Sequence, residues 1–245
     1  MLVGANAGEI VGVHVFRNDV VVIREGTAPD TQDVTRGDIW QFSRKSRQRL
    51  AFIAANTEVK FLTMITLTYP LVYPSDGLLV KGHLRKFLYE LKRDWTVPHY
   101  LWFLEFQARG APHFHILVSH PMPRTRDGKR NLRWHVAASW YRIVASGDEK
   151  HLAAGTRVEH IRKVNGAARY AVKYCAKMYQ KTVAPEYRNV GRFWGYSHGV
   201  VPQPTATLRC TEDDIRGVLE GWPYAPGDDR DLYRVLFGVA DRFQR

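Results

Sequence analysis

The chain has 245 residues, 45% of them hydrophobic, enough for one large domain with a real core or for a domain plus an appendage. That balance excludes a disordered chain, and no low-complexity tract or internal repeat stands out. Its 36 Lys and Arg against 24 Asp and Glu give a net charge of +12, which favours a polyanionic partner, nucleic acid first and an anionic membrane second.

In chain order, "EIVGVHVFRNDVVVIREG" reads as two β-rich runs around Asn18-Asp19, a hairpin. The polar stretch 27–38 is a loose connection. "SRKSRQRLAFIAANTE" reads as a helix with Ser43 as its cap and Arg44, Lys45, Arg47 and Arg49 in its first turns. "KFLTMITLTYP" is rich in β-branched residues and stopped by Pro70, a buried strand. Leu84, Phe87, Leu88 and Leu91 recur at helical spacing, with Lys and Arg on the other side, so 77–95 is an amphipathic helix lying on a sheet. "HYLWFLEFQARGAPHFHILVSH" is two strands around a Gly-containing turn. "PRTRDGKRNLR" reads as a basic loop and Asn131 as the start of the next helix. "GTRVEHIRKV" is a short strand, and "NGAARYAVKYCAKMYQK" a helix capped by Asn165. A Gly/aromatic segment, a strand-like "TATLRC" and a helical tail complete the chain. Mixed order with local hairpins predicts an α+β fold: a central antiparallel sheet carrying the histidine strand, flanked by helices. The expected division is an N-terminal hairpin extension over 1–40, a main domain over 41–210 and a helical tail over 211–245.

Cys175 and Cys210 are the only cysteines, too few for a disulfide framework or a thiolate metal site, so a reducing cytoplasm is the expected compartment. "MLVGANAGEIVGVHVF" has no basic stretch ahead of an apolar block, so no secretory signal is expected. No apolar run approaches the roughly 20 residues of a membrane span, so no membrane partner is expected.

"GAPHFHILVS" (110–119) carries the chemistry. Residues two apart on a strand share a face, so His113 and His115 point one way and Phe114 the other. Two neutral imidazoles so placed can bind one divalent cation. The plainer alternative for a lone His-x-His is two separately hydrogen-bonded side chains. The preceding strand alters that balance with Glu105 and Gln107, again two apart. A five-residue connection over 108–112 would set Gln107 opposite His113 and Glu105 opposite His115. A carboxylate in "YLWFLEF" needs a partner, because burying it unpaired is costly. A metal held by His113, His115 and Glu105 would supply one. The hard carboxylate ligand admits Mg²⁺ or Mn²⁺, and zinc remains open.

In "YAVKYCAK" (170–177), Tyr170 and Tyr174 stand one helical turn apart, and Lys173 and Lys177 follow each by three. Tyrosines at that spacing are ordinarily packing residues with lysines at the edge. A phenol is a weak nucleophile at neutral pH and would need a nearby ammonium and a metal-polarised electrophile.

"FLTMITLTYP", "GAPHFHILVS" and "YAVKYCAK", in that order, resemble the three motifs of HUH-superfamily rolling-circle replication initiators. "SRKSRQRL" and "GRFWGYS" also resemble that family, so the resemblance covers roughly residues 40–200. The doubled tyrosine is similar to the two-tyrosine class. The resemblance implies an endonuclease and strand transferase acting on single-stranded and hairpin origin DNA. One tyrosine attacks a phosphodiester, leaving a 5′-phosphotyrosine link and a free 3′-OH. His113, His115 and Glu105 would hold the metal that polarises the phosphate. Tyr170 and Tyr174 would alternate, Tyr174 first, with Lys173 and Lys177 contacting phosphate or favouring phenolate. The tyrosine helix is then expected across the sheet.

No "GxxxxGK[ST]" occurs, so unwinding is expected from a host helicase and synthesis from a host polymerase. Candidate phosphate contacts are Arg44, Lys45, Arg47 and Arg49, with Arg124, Arg126, Lys129, Arg130 and Arg133 from the basic loop. Phe193 and Trp194 are candidates for base stacking or for the core. The competing readings are a two-tyrosine transposase or relaxase, a non-catalytic DNA-binding regulator, and a metallohydrolase of small phosphoesters.

Overall fold

β-Branched and aromatic residues at alternate positions make "PHFHILV" a strand buried on both sides, and it lies in the middle of its sheet. In the computed structural model the described residues are 10–24, 42–161, 183–188, 191–211, 213–214 and 233–237. The chain forms two compact units.

The larger unit spans 37–54 and 58–201. Its strands are β3 (Thr63–Thr68), β4 (Tyr100–Phe106), β5 (Pro112–Val118), β6 (Thr156–His160) and β7 (Trp194–Tyr196). They form one antiparallel sheet in the order β6-β3-β5-β4-β7. Its helices are α1 (Arg44–Asn56), whose last residues count with the other unit, α2 (Gly77–Trp95), α3 (Arg126–Val144) and α4 (Glu149–Ala154). This is the expected α+β architecture.

Strand alternation splits the core in two. On one face Ile65, Leu67, Phe114 and Ile116 pack against Leu84, Phe87 and Leu91 of α2 and Val136 and Trp140 of α3. On the other, Met64, Phe103 and Leu117 pack against Leu50 and Ile53 of α1 and against Trp194. Phe193 and Trp194 are therefore core residues, not stacking platforms. Trp194 also donates from Nε1 to Ser46 Oγ at 2.8 Å.

The helix starts follow their caps. Asp76 accepts from the amides of Leu78 and Leu79 at the head of α2, and Ser43 Oγ accepts from the Ser46 amide ahead of α1. α3 begins at Arg126, not at Asn131, because Thr125 Oγ1 caps it by accepting from the Gly128 amide. The expected basic loop is thus largely the first turns of a helix.

The smaller unit comprises 1–36, 55–57 and 202–245. The expected hairpin is present as β1 (Ile10–Val15) and β2 (Asp19–Arg24). β8 (Ala206–Thr211) pairs with β1, and β9 (Tyr233–Phe237) with β2, completing a four-stranded antiparallel sheet. β9 is a strand inside the segment expected as a helical tail. The hairpin turn is tied to residues 55 and 56. The Asn18 amide donates to Asn56 Oδ1 at 2.8 Å, and Asn56 Nδ2 donates to Asp19 Oδ2. Asp19 is 1% exposed, and its Oδ1 has no partner among the described residues. Burial pushes its carboxyl up to about 6 against the lowering effect of the Asn56 bond.

Candidate active site

The antiparallel register between β3 and β5 sets Thr66 opposite His115 and Thr68 opposite His113. Each threonine hydroxyl meets the Nδ1 of the ring it faces, at 3.2 Å and 3.0 Å respectively. The two rings lie on one face, as alternation requires, with centroids 4.6 Å apart and planes nearly perpendicular. Phe103 stacks on His115 at 5.0 Å.

From the other side β4 sets Glu105 opposite His113 and Phe103 opposite His115. The expected register, Glu105 against His115, is off by two residues. The hairpin closes earlier: the Gln107 amide donates to Ala111 O at 2.9 Å and the Gly110 amide to Gln107 O at 2.8 Å. Gly110 takes φ +82°, the left-handed conformation that glycine tolerates. A shift of two keeps every side chain on its face, so Glu105 still joins the histidines. It does so diagonally, with Oε2 3.2 Å from His115 Nε2. Glu105 is 7% exposed and His115 3%, so the buried carboxylate has its partner. Gln107 does not join them. Its Oε1 accepts from Arg109 Nε at 3.0 Å.

Facing a carboxylate, His115 Nε2 carries the ring proton and its Nδ1 accepts from Thr66. A hydroxyl opposite Nδ1 also suits the other tautomer, in which it accepts and Nε2 offers a lone pair. Among the described residues, no three His, Cys, Asp or Glu side chains converge as metal ligands do. The donor set nevertheless suits a divalent ion: two imidazoles backed by hydroxyls and one buried carboxylate that such an ion would neutralise.

Three elements hold Thr68 in place. Its amide donates to Gly155 O at 2.8 Å. Its carbonyl accepts from Trp140 Nε1 at 2.8 Å and from His151 Nε2 at 2.9 Å. His151 Nδ1 in turn accepts from Ser146 Oγ at 2.8 Å. Burial lowers the His151 pKa, outweighing the opposite pull of its bond to Thr68. Arg109 fixes the chain just beyond, donating to the carbonyls of Tyr69, Pro70 and Leu71.

Sequence reasoning gave no role to Thr66, Thr68 or Arg109. The i, i+2 threonines of "TMITLT" were the available signal, since they face the same way as any polar pair on the adjacent strand.

The expected DNA contacts are split. The first turn of α1 reaches the His115 row, because Ser46 bonds Trp194, Trp194 opposes Phe103, and Phe103 opposes His115. Arg47 is half-buried there and Arg49 exposed, while the side chains of Arg44 and Lys45 lie outside the described ones. Arg130 is exposed on α3, behind the sheet, and pairs with Asp127 at 3.2 Å. It does not share a face with the histidines. Tyr170, Lys173, Tyr174 and Lys177 lie outside the described residues, as does the expected packing of their helix. Among the described residues no helix is long and apolar enough to cross a membrane.

No curated protein and no solved structure matches the chain. Residues 62–179, a little under half of it, match the model of a family described as Replication-associated protein ORF2, which fits a replication initiator.

Proposed function

We propose that the protein initiates DNA replication as an HUH-type nickase and strand transferase on single-stranded origin DNA. The observation that supports this most directly is the buried His113–His115–Glu105 group, with a threonine hydroxyl behind each imidazole, inside the segment that matches a replication-associated family. A small-molecule phosphoesterase has no use for the basic excess of the chain, whereas a polynucleotide substrate does.

In this reading the phenolic oxygen of Tyr174 or Tyr170 forms a bond to phosphorus and the bond to the 3′-oxygen breaks. The phenolic proton is given up and the leaving oxygen ends as a 3′-OH, so one bond is made for one broken. A later attack by that type of hydroxyl reverses the step and rejoins DNA. Lys173 and Lys177 hold phosphate or favour the phenolate. A divalent ion, Mn²⁺ or Mg²⁺, bound by His113, His115 and Glu105, supplies positive charge at a non-bridging phosphate oxygen. Thr66 and Thr68 hold the rings in one orientation, and Phe103 keeps water from one face of His115. Single-stranded and hairpin origin DNA are the substrates, and a host helicase and polymerase the partners.

The test is incubation with end-labelled single-stranded origin oligonucleotide and Mn²⁺, read as a covalent protein–DNA adduct on a denaturing gel. Wild type forms the adduct, His113→Ala does not, and Tyr170→Phe/Tyr174→Phe loses it entirely. Retarded DNA without any adduct identifies a binding regulator instead and overturns the assignment.

A further inference from the structure

The segment "RKFLYELKR" places a cation at every helical neighbour of Tyr89: Arg85 and Lys86 one turn before it, Lys92 and Arg93 one turn after. Tyr89 is 63% exposed, an unusual position for a large aromatic on an otherwise well-packed helix. The Arg93 guanidinium lies 5.6 Å from the centre of its ring. Beside it, between α2 and α3, is a cleft of about 400 Å³ lined by Arg85, Lys86, Tyr89, Glu90, Arg142 and Ile143. Its carboxylate, Glu90, is almost buried and already bound by Arg142 at 2.8 Å. The cleft thus has basic walls, an aromatic rim and one apolar floor residue, Ile143. Those are the parts needed to seat a nucleotide unit, with phosphate on the cations and base against the ring.

We infer that this outer face of α2 is a second DNA-binding surface, taking a single strand with an unpaired base stacked on Tyr89. It lies behind the sheet. α2 and α3 cover the Phe114 face, while His113 and His115 point from the other. A strand held here is therefore a different segment from the one at the histidines. Charge alone would suit a duplex equally. The exposed ring favours unpaired bases, whose faces a duplex hides. The inference rests on the proposed function only for the choice of DNA as the polynucleotide.

The test is fluorescence anisotropy of a labelled thymidine 20-mer, and of a duplex of the same length, with the full chain in EDTA, so that binding is read without any cleavage. Arg85→Glu/Lys86→Glu should weaken single-strand binding at least tenfold at about 0.1 M salt and flatten the salt dependence by about 1.4 in log–log slope. Tyr89→Ala should weaken it at least fivefold while Tyr89→Phe stays near wild type, and duplex binding should be little altered by either. Lys60→Glu/Lys150→Glu makes the same charge change at exposed sites elsewhere and should cost less than threefold. The inference is overturned if the α2 variants bind within twofold of wild type, or if the control pair loses as much as they do. Equal losses on duplex and single strand overturn the stacking role. None of these outcomes depends on nicking, so failure of the adduct assay and failure here are separate results.

Discussion

Glu105 Oε2 lies 3.2 Å from His115 Nε2, although the strand register sets Glu105 opposite His113. The diagonal reach brings one carboxylate within range of both imidazoles, whose rings are 4.6 Å apart. Glu105→Gln keeps the shape and removes the charge. We expect folding to be retained, Mn²⁺ affinity by calorimetry to fall at least tenfold, and adduct formation to fall about 100-fold or more. Wild-type nicking by this variant would remove Glu105 from the ligand set.

Thr66→Val and Thr68→Val conserve volume and delete the hydroxyl facing each Nδ1. Each should lower metal affinity or nicking by about 10–100-fold with the far-UV spectrum unchanged. The double variant should lose less than the product of the two, since both act on one ion. Nicking rates against Mn²⁺ concentration separate weaker binding from slower chemistry.

Gly155 approaches the ring of His151 so closely that a Cβ added to it would stand 2.3 Å from Cδ2. Gly155→Ala must push that ring away from Thr68 O. We expect a loss of roughly 1–3 kcal/mol in urea denaturation. A neutral result would mean that His151 moves freely and does not anchor β3.

The two units should respond to acid with opposite sign. The folded-state pKa of His83 and that of His151 lie below the ordinary histidine value, in each case mainly through burial. Their contribution is present above about pH 6.5 and is lost as the pH falls and the unfolded chain takes up protons first. Asp19 is raised to about 6, so it stabilises its hairpin below about pH 4 and that contribution is lost as the pH rises through 6. Asp19→Asn should therefore strengthen the hairpin by roughly 2 kcal/mol at pH 7.5 and have little effect near pH 4. Hydrogen exchange of the β1–β2 amides, corrected for intrinsic rates, reads this directly. A variant that leaves those amides unchanged at pH 7.5 contradicts it.

The shared direction of His113 and His115 was legible because alternation along a strand is purely local. Their partners were not. Which residue faces which depends on where the hairpin closes, and the Gln107–Ala111 bond leaves no mark in composition. The error was an even number of residues, which is why Glu105 survived it and Gln107 did not. Thr66 and Thr68 escaped notice because threonine is an ordinary strand former. Its role appears only once β3 lies beside β5. The early start of α3 was hidden by Gly128 and a run of charges, both of which imitate a loop, while the signal that outweighs them is the single hydroxyl of Thr125. Trp194 looked equally suited to surface or core, and Ser46, far away in sequence, satisfies its indole nitrogen.

Thr68 spends its main-chain groups on the layer behind the sheet and its side chain on the imidazole in front. It works as a rivet through the plate: a displacement of Trp140 or of the α4–β6 junction cannot be absorbed in a flexible loop and must be carried forward to the ring of His113. Screens for impaired variants should therefore recover changes in the rear helices that touch no nucleic acid, and the defect of those variants should lie in how the imidazole is aimed rather than in how much protein folds.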